Sequence, residues 1–253
     1  EKVHLWHRNY SSVIFSLIFK FKGLVSFNPV MLMPIMKTLE AQKIVLASSS
    51  PRRKEILEKI GLKFDIIKSN FEENLNKVDF STPLEYVKET AKQKTLEVAR
   101  RIYSKPVSPP DLIIGADTIV TLDGDIIEKP SSVEHACQIL SRYSNRTHTV
   151  ITGVILVTPN KNAIQQSSET GIDCKFKLHT FHDMTEVVMP DLPSDVIQHY
   201  VESGEPMDKA GGYGIQGLGC TLVEGIKGDY FNVMGFPAYK FAIELLKLYS
   251  KQN

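Results

Sequence analysis

Two kinds of apolar spacing alternate along this chain from Lys43 onward: short β-type runs, and longer stretches with the helical repeat. Lys43–Ala47 is an apolar run that predicts a strand. After it, Ser50 suits a helix N-cap and Pro51 the first helical position. Ile56, Leu57 and Ile60 then share a face, and Gly61 ends the helix. Phe64–Lys68 predicts a second strand. Thr82-Pro83-Leu84-Glu85 is a capping box opening a helix with Leu84, Val87, Ala91, Val98 and Ile102 on one stripe. Pro106, Pro109 and Pro110 make 104–110 a loop.

Leu112–Leu122 is a long β-rich run, and Asp123-Gly124 turns it into Ile126 and Ile127. Ser131 with Glu134 reads as a capping box for a helix that buries Ala136, Cys137 and Leu140. Thr149–Val157 predicts a strand, 159–168 an exposed loop, and Phe176–Met189 one or two strands. Helices follow near Ser194–Glu202 and Pro237–Ser250. This alternation predicts an α/β or α+β domain around a mixed sheet.

The residues before Lys43 break the pattern. No acidic residue lies between Glu1 and Glu40, and Val13–Phe27 is apolar but interrupted by Lys20 and Lys22. The run is short for a membrane span and lacks a secretory cleavage site. Residues 1–42 are expected to be a leader, disordered or dispensable, with 43–253 forming the domain. A start at Met31, Met33 or Met36 fits that view; an organelle transit peptide, mitochondrial in address, is the other reading.

Composition narrows the function classes. Apolar content of 42% with 23% charged residues suits a globular core. A net charge of +1 gives no basic field for nucleic acid, so an anionic partner must be bound locally. Cys137, Cys174 and Cys220 are odd in number and form no metal or disulfide pattern, which points to a reducing, cytoplasmic setting.

Nine of the 15 glycines fall between Gly204 and Gly235. Such a segment is neither helix nor strand interior; it brings backbone close to something, carrying Asp208, Lys209 and Gln216 with it. Arg52 and Arg53 occupy the first turn of a helix, where cations are disfavoured unless an anion binds there or they reach outward to surface carboxylates. Asp117 lies within an apolar run, where a carboxylate needs a partner or ends a strand. Lys94 falls on a buried helical stripe and either snorkels or points into a cleft. Glu72 and Glu73 are solvated neighbours or a seat for Mg²⁺. His148, in a β-branched strand, reads as structural. No P-loop or nucleophile elbow occurs.

Taken in order, Leu46-Ala-Ser-Ser-Ser-Pro-Arg-Arg53, Gly115-Ala-Asp-Thr118, Lys129-Pro130, Thr147–Gly153, Gly204–Gly217 and Asn232–Pro237 resemble the Maf family of nucleotide pyrophosphatases over about Lys43 to Leu248. The resemblance implies a mixed twisted sheet with two lobes around a cleft, related to the inosine-triphosphate pyrophosphatase fold. It implies metal-aided hydrolysis of a nucleoside triphosphate to monophosphate and pyrophosphate, and a homodimer. Asp117 would be the general base, Arg52, Arg53, Lys94 and Lys129 would hold phosphates, and Glu72 with Asp117 would hold Mg²⁺ or Mn²⁺. Arg52, Thr118 and Gln216 match the dTTP/UTP branch, and a glutamine can offer both donor and acceptor to a pyrimidine edge. Ser48, Asp208 and Lys209 are further candidates. Glu128 stands where bacterial members carry glycine, and the 159–182 segment is longer than in compact members. A non-canonical-nucleotide pyrophosphatase, or a regulatory cell-division protein with weak catalysis, are the competing readings.

Overall fold

The computed structural model describes residues 30–105, 108–160 and 172–250. Among these, seven strands form one mixed sheet in the order β2-β1-β3-β5-β6-β7, with β4 paired to β3. The strands are β1 (Ile44–Leu46), β2 (Asp65–Ile66), β3 (Leu112–Leu122), β4 (Asp125–Ile127), β5 (Thr147–Pro159), β6 (Phe176–Val188) and β7 (Gly225–Lys227). The helices are α1 (Met36–Glu40), α2 (Pro51–Lys59), α3 (Pro83–Tyr103), α4 (Val133–Tyr143), α5 (Ser194–Glu202), α6 (Tyr230–Met234) and α7 (Ala238–Ser250). The expected α/β class holds.

Strand β3 organises the molecule. Its alternate residues Leu112, Ile114, Ala116, Val120 and Leu122 enter the larger core, while Ile113 and Ile119 face the other side of the sheet, where α3 packs. There helix and sheet approach closely: a Cβ on Gly115 would stand 1.8 Å from Thr95 Oγ1, and one on Gly153 would be 3.2 Å from the Lys88 backbone. One edge of β3 is paired continuously with antiparallel β5, from Ile113↔Val157 to Thr121↔Thr149. The opposite edge carries parallel β1 from Leu112 to Ile114 and antiparallel β4 from Val120 to Leu122. Between them, Gly115 to Ile119 has no strand partner on that edge among the described residues.

Local signals decide most boundaries. Thr82 Oγ1 accepts from the Glu85 amide, as a capping box requires, although the Glu85 carboxylate reaches the Ser81 amide rather than its own cap. Asp123 and Gly124 both take positive φ, the geometry of a tight hairpin. The α4 cap falls one residue later than expected: Ser132 Oγ accepts from the His135 amide, while Ser131 pairs with the His135 ring. Ser50 stands at the N-cap of α2, but its side chain makes no capping bond. Phe176–Val188 is one continuous strand paired with β5 out to Pro159↔Phe176. Within the longer segment, the described residues from Phe176 extend the β5–β6 ladder at its end remote from Asp117. Pro106 and most of the expected 159–168 loop lie outside the described residues.

The expected leader needs correction from Val30 onward. Val30–Ile35 forms a 3-10 helix running into α1, and Leu32, Ile35, Met36 and Leu39 are buried in the main core. Leu32, Ile35, Met36 and Leu39 stand at i, i+3, i+4 and i+7, a helical stripe that the basic, acid-poor composition of the segment drew attention away from. Residues 1–29 lie outside the described part.

Candidate active site

A cleft of about 880 Å³ opens at the unpaired stretch of β3, beyond the carboxyl end of β1. Its lining includes Arg52, Asp117, Thr118, Lys129, Lys209 and Gln216. The Pro51 turn of α2, the β4–α4 connection and the glycine-rich segment thus converge on one space, as the scattered motifs suggested.

Asp117 sits mid-strand, opposite Gly153 on β5, and is only 8% exposed. Its carboxylate accepts from Lys94 Nζ at 2.9 Å, and the same ammonium stands 2.6 Å from Glu73 Oε1. Lys94 comes from α3, held against the sheet by the small contacts at Gly115 and Gly153. Burial pushes the Asp117 pKa above its ordinary value, while Lys94 and Arg53 pull it back. The net direction is upward, which leaves the carboxylate a stronger base than a solvated one.

Glu73, not Glu72, is the acidic residue that faces the cleft. The two are adjacent in an irregular segment, and neither periodicity nor a turn motif distinguishes them in the sequence. Glu72 is exposed and contributes no lining.

The arginine pair divides its labour. Arg53 is buried, and its guanidinium donates to Gly235 O at 2.9 Å, Ala116 O at 2.8 Å, Ser48 Oγ at 3.2 Å and Thr118 Oγ1 at 3.0 Å. Four of its five N–H groups serve protein acceptors, so Arg53 is chiefly a frame residue, with one N–H of its terminal nitrogen left at the cleft wall it helps to line. Burial lowers its pKa from the ordinary arginine value, a shift that Asp117 opposes. Arg52 makes no hydrogen bond within the described residues and lines the cleft as a free fork. Ser48, whose oxygen serves Arg53 and the Ser50 amide, is likewise a scaffold residue; Ser50 lines the cleft instead. The Thr118 hydroxyl also meets Thr152 Oγ1 at 3.0 Å and Gly235 O at 3.2 Å.

The glycine-rich segment owes its shape to Glu205, which sequence reasoning passed over. Its carboxylate accepts from Leu218 N at 2.7 Å, Gly219 N at 3.0 Å and Tyr200 Oη at 2.9 Å. Desolvation acts to raise the Glu205 pKa, but the Gly219 and Leu218 amides and the Tyr200 hydroxyl outweigh it and hold it low. A Cβ on Gly217 would fall 2.2 Å from this carboxylate, so a larger residue there would displace Glu205 from the amides it binds. Gln216, in this loop, donates to Glu55 of α2 at 3.2 Å. Lys209 pairs with Asp208, and both line the cleft. Lys129 is exposed at the rim beside Glu128, which pairs with Lys77. His148 is buried away from the cleft, its Nε2 2.8 Å from Tyr213 Oη.

Among the described residues, no group of three or more acidic, histidine or cysteine side chains forms a ready metal cage. No helix there is long and apolar enough to cross a membrane.

The chain is thus an α/β protein with a cleft at a gap in its central strand, where the buried Asp117 carboxylate and other acidic side chains stand among the basic Arg52, Arg53, Lys129 and Lys209. A family model described as Maf-like protein matches residues 43–248, and the chain belongs to that family. It is 48% identical over 218 residues to a human protein named probable bifunctional dTTP/UTP pyrophosphatase/methyltransferase protein, covering 86% of this chain. The chain spans only 34% of that human relative. A dTTP/UTP pyrophosphatase of Clostridium perfringens (strain 13 / Type A) is 45% identical over 199 residues, covering 78% of this chain and 93% of the relative. One from Agathobacter rectalis is 41% identical over 213 residues, covering 81% and 97%.

Proposed function

We propose that this protein is a pyrophosphatase that hydrolyses dTTP and UTP to the nucleoside monophosphate and pyrophosphate. The observation that carries the reading is the buried Asp117 carboxylate, held by Lys94, in a cleft that Arg52, Lys129 and Lys209 also line. The relatives' printed names support the substrate class.

In this reading Arg52, Lys129 and Lys209 neutralise and position the triphosphate, work on which phosphoryl chemistry chiefly depends. Asp117 accepts a proton from the attacking water; the new P–O bond forms as the bond to the bridging oxygen of the α–β anhydride breaks. The pyrophosphate then leaves with its charge balanced by the basic side chains. Lys94 keeps Asp117 ionised between turnovers. Arg53 acts through the frame, fixing Thr118 and the Gly235 carbonyl.

Asp117 and Glu73 converge on one ammonium, so two hard oxygen donors face one point. That donor set fits Mg²⁺ or Mn²⁺, which takes one or two carboxylates and completes its shell with water and phosphate oxygens. The metal would supply charge neutralisation on the substrate. A homodimer in the cytoplasm belongs to the same reading, and Cys174 and Cys220, free and exposed, suit a reducing compartment.

The test is pyrophosphate release with Mg²⁺ or Mn²⁺ across dTTP, UTP, CTP, GTP, 7-methyl-GTP and ITP. Preference for dTTP and UTP that disappears in Asp117→Asn is the expected result. A purine preference would keep the enzyme class and discard the pyrimidine assignment; binding without turnover would favour a regulatory protein.

A further inference from the structure

We propose that Glu55 is a specificity-determining residue: it fixes the orientation of the Gln216 amide, and so selects uracil and thymine over cytosine. The proposal rests on the pyrimidine reading above. Gln216 Nε2 donates to Glu55 Oε2 at 3.2 Å. An ionised carboxylate only accepts, so it meets the NH₂ end of the amide and never the carbonyl end. Turning the amide over would set Gln216 Oε1 against a carboxylate oxygen. Among the described residues no protein donor meets that Oε1, so it stays available, together with the second N–H of Nε2. Both belong to a side chain that lines the cleft.

The free edge is therefore one acceptor beside one donor, in a set order. Uracil and thymine present N3–H flanked by carbonyl oxygens and complement it. Cytosine presents a bare N3 beside an amino group and requires the reversed amide. The 5-methyl group lies off this edge, so thymine and uracil read alike.

Both partners are anchored from below. Glu55 stands on α2 beside Ile56 and Leu57, which are fully packed in the core. Gln216 lies in the loop that closes around the Glu205 carboxylate, with the Leu218 and Gly219 amides bound to it. The two backbones are thus fixed relative to the core, and the bond to Glu55 is what sets the orientation of the exposed Gln216 amide.

Two substitutions separate orienting from tethering. In Glu55→Gln the new amide can pair with Gln216 in either orientation, so a tether survives and the direction is lost. The UTP:CTP ratio of kcat/KM is then expected to fall about tenfold or more, through a higher KM for UTP and a higher kcat/KM for CTP, with kcat for UTP little changed. Glu55→Lys offers only donors, meets Oε1, and is expected to bring CTP level with UTP or beyond it. Thermal midpoints of both proteins report folding. Wild-type selectivity in both folded variants would overturn the proposal alone, leaving the enzyme assignment intact. A wild-type protein that turns over no dTTP or UTP would overturn the proposal and the underlying reading together.

Discussion

Arg53 Nε donates to the carbonyl of Gly235 at 2.9 Å, joining the first turn of α2 to the residue that ends α6. The same guanidinium meets Ala116 O on the unpaired edge of β3. It supplies the donor that a neighbouring strand would otherwise give there.

Removing Arg53 should therefore act on stability first. Arg53→Ala leaves the Ala116 carbonyl buried without its side-chain donor, at about 1–3 kcal/mol, and takes from Gly235 O one of its two donors, the Thr118 hydroxyl remaining. Arg52→Ala should change stability by less than about 0.5 kcal/mol, as for a surface position, while raising KM for triphosphates. Urea midpoints at constant m, beside KM, separate the two. Equal loss of stability in both would contradict the division described here.

Asp117→Asn should stop turnover and leave the fold at least as stable at neutral pH, because it removes a buried charge whose ionisation the fold disfavours. The active form is deprotonated, so kcat/KM should fall toward acid with an inflection above the ordinary aspartate value of 3.8. An inflection at or below that value would place the base elsewhere.

Adjacent glutamates should behave differently. Glu73→Gln should raise the Mg²⁺ or Mn²⁺ concentration needed for half-maximal rate by about tenfold or more, as loss of a ligand does. Glu72→Gln should leave the metal titration in place. Reversed outcomes would restore the original sequence expectation.

Leu32 is fully buried, so Leu32→Ala should cost about 2–5 kcal/mol. For a domain of this size each kcal/mol lowers the melting midpoint by about 2–4 °C. A protein beginning at Lys43 should melt lower still than one beginning at Val30, since it loses Ile35, Met36 and Leu39 as well. Identical midpoints would mean that these helices merely rest on the core.

Burial lowers the His148 pKa to about 4. Below the ordinary value of 6.5 the unfolded chain binds a proton that the folded chain refuses, so stability from this group is lost as pH falls from about 6.5 to 4. The expected loss is about 3 kcal/mol across that window. Titration of the His148 ring by NMR should show no inflection near 6.5.

Strands and helices were legible because their signals are local. Leu112–Leu122 and Ser194–Glu202 stand where apolar spacing placed them. The site was legible as a set of motifs, but not as a division of roles. Nothing local separates Arg52 from Arg53, since the latter's acceptors lie 63 and 182 positions away. Glu72 and Glu73 differ only in which one an irregular backbone turns toward Lys94. Glu205 was hidden for the same reason: its partners are amides of glycine-rich backbone that carry no sequence label.

Strand β3 bears Asp117 on the same backbone that holds both cores together. Its amides on the β5 side should exchange with solvent only when the whole domain opens. Heat inactivation should then follow the rate of global unfolding rather than the fraying of a surface loop, and residual activity would be a direct gauge of the folded fraction.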